Sequence, residues 1–300
     1  MTDLLCLGEA MVEFVRLESG DYRRGFGGDT SNAAIAAARQ GASVGYLSAL
    51  GTDRFGDSLI DLWSGEGVDT SHIHRDPDAP TGIYFVDPDP EGRFFTYYRE
   101  ASAASRMQPG DLPSNALANT RCLHLSGITL AASEQLRATG LAAVDMVRGA
   151  GGAVSLDTNL RLKLWDLDTA RRVLTDTMSR ADIAVTSIDD SAHLTGLSDP
   201  VGIARHYHNL GPRIVLVTMG GDGCHLSHPG GQVLIPPARA RAVDSTGAGD
   251  TFAGAFLAWW LETEDPERAA RRAAIAAAGT VSGYGAVDPI PTRAAVLAAE

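Results

Sequence analysis

Strand-like and helix-like segments alternate along most of this chain, and this alternation limits the fold more than any other feature. The predicted strands are Leu4–Gly8, Val44–Leu50, Cys122–Ser126, Ala153–Asp157, Ile183–Thr186 and Ile214–Thr218, and the predicted helices are Ser31–Gln40, Gly56–Glu66, Glu134–Arg148, Asp168–Ser179, Val201–Asn209 and Pro266–Ala278. Alternation of this kind indicates right-handed crossovers between parallel strands, with helices on both faces of the sheet. We therefore expect an α/β fold of three layers, α/β/α, with a mostly parallel central sheet. No repeat or low-complexity linker divides the sequence, which predicts a single domain over residues 1–300.

The alternation is interrupted between residues 82 and 99. Two short β-like runs, Ile83–Asp87 and Arg93–Arg99, flank the sequence Asp89-Pro90-Glu91-Gly92, which predicts a hairpin. Met11–Arg16 is a candidate partner strand. We expect a small β-sheet lid formed by about residues 11–26 and 82–106. A lid would exclude water from a reacting centre, whereas the alternative is a hairpin without a function.

The most specific motif is Asp244-Ser245-Thr246-Gly247-Ala248-Gly249-Asp250, which precedes an apolar helix predicted at Ala253–Leu261. Backbone N–H groups at the start of a helix have no partner inside the helix, and the helix dipole adds partial positive charge there. Glycines let the backbone close around an anion with no Cβ in the way. The motif predicts an anion cradle with the Asp250 carboxylate at its rim, as phosphoryl transfer to a hydroxyl requires. The alternative is a capped turn.

Two further motifs and the lid supply polar side chains. Gly27-Gly28-Asp29-Thr30-Ser31-Asn32 precedes a small-residue helix, and its paired glycines leave space for a polar ligand. Asp157-Thr158-Asn159-Leu160-Arg161 follows a predicted buried strand, and ligands of open α/β sheets bind at the carboxyl ends of strands. In the lid, Tyr84 and Tyr97 offer hydroxyl groups, and Arg99 offers a planar fork for a carboxylate. The alternatives are a helix-capping turn, a solvated arginine and cross-strand packing of the tyrosines.

Together these motifs resemble the signatures of the ribokinase-like (PfkB) carbohydrate kinases. Gly27-Gly28-x-x-x-Asn32 is similar to the first signature of that family, and Asp244–Asp250 is similar to the second. The resemblance covers essentially the whole chain and is greatest to the 2-keto-3-deoxygluconate kinases, through segments such as Tyr97-Tyr98-Arg99 and Asn159-Leu160-Arg161. It implies a ribokinase-like fold and transfer of a phosphoryl group from ATP to the terminal primary hydroxyl of 2-keto-3-deoxygluconate. The product would be 2-keto-3-deoxy-6-phosphogluconate. A fructokinase or ribokinase acting on a neutral sugar is the alternative.

The resemblance also implies roles for individual residues. Asp250 would accept a proton as the catalytic base, and Gly247, Ala248 and Gly249 would hold the transferring charge. The sugar acid would contact Gly28, Asp29, Thr30, Ser31, Asn32, Tyr84, Tyr97, Arg99, Arg161 and Asp250. ATP would contact Asn159, Arg161, Thr218, Gly220, Gly221, Gly223, Gly247 and Gly249.

The expected metal site departs from the family pattern. Ser187-Ile188-Asp189-Asp190 stands where many members of the resembling family carry an Asn-x-x-Glu motif associated with Mg²⁺. Asp190 is expected to act on Mg²⁺ through water, because this cation keeps several waters and takes few protein ligands. The expected cofactors are therefore ATP and Mg²⁺.

Charge and cysteine content bear on the partners and the compartment. The formal net charge of −12 argues against a nucleic acid or an acidic membrane surface as a partner. Because ATP and a sugar acid are anions, local arginines and Mg²⁺ must supply the attraction. Cys6, Cys122 and Cys224 lie far apart among apolar neighbours, which predicts buried thiols in a reducing cytoplasm. No secretion signal or membrane span is evident in the sequence, and the resemblance implies a homo-oligomer formed through the lid.

Two other function classes are weaker interpretations. A dinucleotide-dependent oxidoreductase needs Gly-x-Gly-x-x-Gly after its first strand, whereas Gly8-Glu9-Ala10 follows this one. A sugar or nucleotide sensor without chemistry would keep the pocket, but the presence of Asp250 argues against it. A turnover assay separates the kinase from the sensor.

Overall fold

The computed structural model describes residues 2–89 and 92–300. Its strands are β1 (Leu4–Leu7), β2 (Met11–Arg16), β3 (Tyr22–Gly27), β4 (Val44–Gly51), β5 (Ile73–Asp76), β6 (Ile83–Asp89), β7 (Gly92–Tyr98), β8 (Cys122–Ser126), β9 (Ala153–Asp157), β10 (Ile183–Ser187), β11 (Ile214–Thr218), β12 (Cys224–His228) and β13 (Gly231–Ile235). Its helices are α1 (Asp29–Arg39), α2 (Arg54–Gly65), α3 (Ala103–Arg106), α4 (Ser114–Asn119), α5 (Gly127–Ala131), α6 (Glu134–Gly149), α7 (Leu167–Met178), α8 (Ile188–Thr195), α9 (Pro200–Leu210), α10 (Ala248–Thr263), α11 (Pro266–Thr280) and α12 (Arg293–Ala298), with 3-10 turns at Pro109–Asp111 and Gly220–Asp222. Every predicted strand and helix is present, but the helix predicted at Ala253–Leu261 begins earlier, at Ala248.

The central sheet has nine strands in the order β13-β12-β11-β10-β9-β8-β1-β4-β5. All neighbours from β11 to β5 are parallel, and β12 and β13 add an antiparallel edge. The predicted α/β architecture with a mostly parallel sheet is confirmed. The sequence interpretation missed the β12–β13 hairpin, which is closed by the short turn between His228 and Gly231. The parallel strands place their carboxyl ends at one edge of the sheet, which is where ligands bind in such folds.

Close packing of α1 against α10 brings two distant motifs together. Both helices are largely buried, and a Cβ at Gly254 of α10 would collide with the carbonyl oxygen of Ala33 in α1. Because only glycine permits this approach, the helix starts are held side by side. The glycine-rich loop before α1 and the motif before α10 therefore meet at the carboxyl edge of the sheet.

The lid is a separate sheet with the strand order β3-β2-β6-β7. Strands β2 and β6 are parallel, and the other pairs are antiparallel. Residues paired across all four strands form one row, which runs Gly25, Glu13, Tyr84, Tyr97. The predicted pairing of Met11–Arg16 with the hairpin is confirmed.

The bounds of the lid differ from the expectation. The last lid strand ends at Tyr98, whereas Ala103 of α3 is buried in the core of the main layers. Residues 99–106 therefore return the chain from the lid to the main body. The turn predicted at Asp89-Pro90-Glu91-Gly92 includes Pro90 and Glu91, which lie outside the described residues.

The cysteines and the helices bear on two further expectations. Cys6, Cys122 and Cys224 are buried free thiols, as predicted, and burial raises the pKa of each. Within the described part of the chain, none of the helices has both the length and the apolar character needed to cross a bilayer.

Candidate active site

The candidate site lies at the carboxyl edge of the central sheet. Asp157, Ser187 and Thr218 end the adjacent strands β9, β10 and β11. The start of α10 faces this edge because α10 packs against α1. Three of the sequence motifs are thus neighbours in space.

The last residues of the Asp244–Asp250 motif form the first turn of α10. Gly247 caps the helix with φ 77°, and a Cβ there would meet backbone atoms of Ala286 at 2.9 Å. Glycine is therefore needed for both the left-handed backbone and the space. A Cβ added at Gly249 would meet no atom within 4 Å, so this part of the turn is open. The N–H of Ala248 donates to the carbonyl of Ser245 at 3.3 Å, which is a long bond.

Asp250 lies in the first turn of α10 and is contacted by Asn32 of the Gly27–Asn32 motif. The Asn32 amide donates to Oδ2 of Asp250 at 2.8 Å. Burial raises the pKa of Asp250 to about 7, and the negative charge of Asp29 adds to the rise. The Asn32 hydrogen bond and the positive charge of Arg161 oppose it. A carboxyl group with a pKa near neutrality is suited to accept a proton at physiological pH.

Asp29 and Asn159 form a second polar contact beside Asp250. The Asn159 amide donates to Oδ2 of Asp29 at 2.9 Å. Asn159 has φ 29°, a conformation that few residues other than glycine adopt, and such outliers are concentrated at functional sites. Among the described residues, Oδ1 of Asp29 and Oδ1 of Asn32 are buried acceptors without a hydrogen-bond partner. Both are suited to accept hydrogen bonds from hydroxyl groups of a ligand.

The side chains of Thr30 and Ser31 do not face this site. The Thr30 hydroxyl shares a hydrogen bond of 2.9 Å with the Tyr46 hydroxyl, and the Ser31 hydroxyl accepts from the Trp63 indole at 2.8 Å. Both side chains are buried in the core. The prediction that they contact a ligand is therefore wrong for the side chains, which anchor the loop instead.

The acidic groups around β9 bear on the metal prediction. Oδ2 of Asp190 accepts from the Thr158 hydroxyl at 2.8 Å and from the Leu160 N–H at 3.0 Å. Burial raises the pKa of Asp157 well above its usual range, and Asp190 and Asp250 add to the rise. Within the described residues, no three acidic, histidine or cysteine side chains are arranged to hold a metal ion. A contact of Asp190 with Mg²⁺ through water stays a prediction.

The lid places aromatic and charged groups near Asp250. The Tyr84 hydroxyl donates to Oε2 of Glu13 at 2.6 Å, and the rings of Tyr84 and Tyr97 lie 5.6 Å apart. Burial raises the pKa of Tyr84 well above its usual range, with further contributions from Glu13 and Asp250. Burial raises the pKa of Tyr97, and the positive charges of Arg99 and Arg161 oppose this rise. These shifts show that the lid tyrosines, both arginines and Asp250 share one electrostatic environment.

The two predicted arginines differ in their surroundings. Arg99 forms an ion pair with Glu9, whose side chain is 0% exposed, and Ser102 also donates to this carboxylate at 2.7 Å. Arg161 is exposed and donates to the carbonyl of Leu160 at 2.8 Å. In the described part of the chain, no carboxylate forms an ion pair with Arg161. Arg161 is therefore the more available cation for an anionic ligand.

The predicted nucleotide residues line the next part of the edge. Thr218 ends β11 and its hydroxyl donates to the Thr186 carbonyl at 3.2 Å. Gly220 and Gly221 form an exposed turn with open space around both. A Cβ at Gly223 would collide with the carbonyl of Ile235, and its φ of 93° also favours glycine. The turn is open to a ligand, and its contacts with a nucleotide stay predictions.

Sequence interpretation assigned no role to Glu9, Glu13 or Asp157. The two glutamates contact predicted site residues only through the tertiary structure, so they gave no local signal. Asp157 had a signal, because it begins the Asp157–Arg161 motif at the end of a buried strand.

Known proteins are similar to this chain in sequence and in fold. Residues 1–293 match the pfkB family carbohydrate kinases. The chain is 35% identical over 303 residues to the 2-dehydro-3-deoxygluconokinase of Thermoproteus tenax, covering 97% of this chain and 92% of that relative. The structure is similar to a PfkB protein from Polaromonas sp. JS666, with a TM-score of 0.91, 32% identity and 100% of both chains covered. It is also similar to a fructokinase with bound ATP from Xylella fastidiosa, with a TM-score of 0.90, 26% identity and 99% and 98% of the two chains covered. With its ribokinase-like fold, and the Asn32–Asp250 contact joining its two glycine motifs, the chain belongs to the pfkB family of carbohydrate kinases.

Proposed function

We propose that this carbohydrate kinase phosphorylates the terminal primary hydroxyl of 2-keto-3-deoxygluconate with ATP, giving 2-keto-3-deoxy-6-phosphogluconate. The observation that carries the proposal is the position of the Asp250 carboxylate in the first turn of α10, beside the charge of Arg161. The Asp250 carboxylate suits transfer of a phosphoryl group to an alcohol, and the Arg161 guanidinium suits a substrate with a carboxylate. The named relative from Thermoproteus tenax acts on the same compound under its synonym, 2-dehydro-3-deoxygluconate.

The proposed chemistry follows from the site. The primary hydroxyl loses its proton to Asp250 as its oxygen forms a bond to the γ-phosphorus of ATP, and the bond to the ADP oxygen breaks. The first-turn N–H groups at Gly247 and Gly249 stabilise the migrating charge, as preorganised donors do. A loose transition state asks little of the base, so positioning of the hydroxyl by Asn32 and Asp29 contributes much of the rate.

Mg²⁺, when bound, neutralises charge on the phosphates of ATP. Asp190, and Asp157 beside it, would hold the ion through its waters, because Oδ2 of Asp190 already accepts two hydrogen bonds. Asp157 ends β9, and Asp190 lies in the first turn of α8, directly after β10; the open glycine turn at Gly220 and Gly221 follows the neighbouring strand β11.

The first test asks whether Arg161 recognises the carboxylate of the substrate. Replacing Arg161 with alanine should raise KM for 2-keto-3-deoxygluconate by about 10–100-fold, since a hydrogen bond to a charged group is lost. KM for fructose should change by less than about threefold, because fructose has no carboxylate to pair. Steady-state kinetics above pH 8 over a panel of sugars and sugar acids measure both values.

Lys163→Ala is the matched control, because Lys163 is an exposed cation two positions along the same segment. The control should leave both KM values unchanged. If Arg161→Ala raised KM equally for acidic and neutral substrates, the result would contradict recognition of a carboxylate by Arg161. Higher wild-type kcat/KM on fructose would favour the fructokinase alternative, which the similarity to the Xylella fastidiosa fructokinase supports.

The pH dependence gives a second test. Because Asp250 acts as a base only when deprotonated, and its pKa is raised to about 7, kcat/KM should rise with pH. We expect a rise of about tenfold per unit below pH 6 and a plateau above about pH 8 in initial-rate measurements with saturating ATP and Mg²⁺. Asp61→Asn, which alters an exposed carboxylate on α2, should keep the same profile. A flat wild-type profile across this range would contradict the assignment of the base.

The homo-oligomer expected from the resemblance is also proposed to form through the lid. Its outer face exposes Tyr22, Phe94 and Tyr98, whose exposed fractions are 44%, 57% and 61%. Exposed aromatic clusters of this kind favour association. Light scattering of the purified chain distinguishes a monomer from a dimer or larger assembly.

A further inference from the structure

The row Gly25, Glu13, Tyr84, Tyr97 crosses the underside of the lid as a polar band. On the same face, the neighbouring buried side chains are apolar, as shown by the cluster of Met11, Tyr84 and Val86. Burying a carboxylate in such a setting is costly unless it accepts hydrogen bonds. Glu13 is only 7% exposed, and the Tyr84 hydroxyl supplies one of the hydrogen bonds that its carboxylate needs.

The two glycines of β3 make room for this pair. A Cβ at Gly27 would collide with the Tyr84 hydroxyl, and a Cβ at Gly25 would lie 3.0 Å from Oε1 of Glu13. Gly27 is the first residue of the Gly27–Asn32 motif and immediately precedes Gly28 and Asp29. The Tyr84 hydroxyl is thus seated against the loop that carries the predicted ligand contacts.

The direction of the hydrogen bond follows from chemistry. A carboxylate has no proton to give, so the single phenolic proton of Tyr84 points to Oε2 of Glu13, at 2.6 Å. The remaining lone pairs of the Tyr84 oxygen can then only accept. A substrate carboxylate also only accepts, so Tyr84 in this state cannot bind one.

We infer that Glu13 is a positioning residue that makes Tyr84 an obligate hydrogen-bond acceptor, so that Tyr84 reads a hydroxyl of the sugar and not its carboxylate. The inference rests on the proposed function for the identity of the substrate. Under this inference Tyr84 accepts a hydrogen bond from a hydroxyl of the sugar, whereas Arg161 and the half-exposed Tyr97 bind its carboxylate. A fixed acceptor of this kind discriminates strongly between a sugar that carries the matching hydroxyl and an analogue that lacks it, because the analogue leaves the buried acceptor unpaired.

The test is a double-mutant cycle on Glu13→Gln and Tyr84→Phe. Glutamine keeps the shape of Glu13 but can donate to the phenol oxygen, which frees the phenolic proton to turn toward the substrate. Each single variant should raise KM for the preferred substrate by about 5–20-fold, with kcat within about threefold and KM for ATP unchanged. In the Tyr84→Phe background, Glu13→Gln should change KM by less than about twofold, because no phenol remains to orient.

Glu18→Gln is the matched control, since Glu18 is an exposed carboxylate just beyond the same strand. Thermal unfolding of every variant separates a binding effect from a folding defect. The inference would be overturned if the fold-changes in KM of the two single variants multiplied in the double variant. A normal KM for Glu13→Gln would also overturn it. The cycle uses whichever sugar or sugar acid the wild type prefers, so a neutral preferred sugar would refute the proposed substrate and still test Glu13.

Discussion

Replacing Asp250 with asparagine is expected to lower kcat by at least about 100-fold, the loss typical of a positioned base. Asparagine cannot take the proton of the substrate hydroxyl, yet it has the same shape. Its side-chain oxygen can still accept from Asn32, which bonds Asp250 at 2.8 Å. The variant therefore removes proton transfer while leaving the joined helix starts in place. Steady-state kinetics with saturating sugar acid and ATP measure the loss.

The stability of the same variant is a built-in check. The pKa of Asp250 is raised in the folded state to about 7, so ionisation penalises folding as pH rises from the unfolded pKa toward 7. The neutral asparagine carries no such penalty. Its Tm at pH 8 should equal or exceed that of the wild type, and Asp61→Asn should change neither Tm nor kcat. Near-normal turnover of Asp250→Asn would remove the base assignment.

Part of this site could be predicted from sequence because local patterns determine it. Apolar runs followed by Asp157 or Thr218 indicate strand ends, and the parallel arrangement puts those ends at one edge. Glycines at 247 and 223 signal backbone that other residues rarely adopt. These features depend on a few neighbouring residues, so the sequence alone carries them.

The contacts between motifs could not be predicted in the same way. Asn32 and Asp250 are 218 positions apart, and their hydrogen bond exists because Gly254 lets α10 approach α1. Thr30 shows the same limit, because its place in the glycine motif suggested a ligand contact, whereas its hydroxyl shares a hydrogen bond with Tyr46 in the core. A polar side chain in a motif does not indicate which of two possible partners, ligand or core, it reaches.

Arg99 shows this limit most clearly, and its replacement should produce the largest loss of stability. Arg99→Met is expected to lower the free energy of unfolding by roughly 3–5 kcal/mol, because it leaves a buried carboxylate without its cation. Glu9 is that carboxylate, with 0% of its side chain exposed, and Ser102 is its other partner. Methionine keeps the apolar stem of the arginine, so a cavity does not confound the result. Urea or thermal unfolding measures the change.

Arg106→Met is the matched control. Arg106 lies on α3, and its guanidinium meets Asp76 at 3.8 Å with 48% of the side chain exposed. Exposed ion pairs contribute about 0–1 kcal/mol to stability, so the free energy of unfolding of this control should be close to that of the wild type. Equal losses for the two variants would mean that the Glu9 ion pair has no special weight. A large loss for Arg99→Met also makes Arg161 the cleaner position for testing carboxylate recognition.

A second substitution identifies the cause of the loss. If the penalty arises from the unpaired charge of Glu9, then Glu9→Gln should recover more than half of the stability lost in Arg99→Met, since the amide is neutral and can still accept from Ser102. If the penalty arises from lost packing of the arginine stem, Glu9→Gln should add to it. Glu9 follows β1 in the main sheet, and Arg99 follows the last strand of the lid. Recovery would thus show that a buried ion pair fastens the lid to the sheet at the point where the chain returns to the main body.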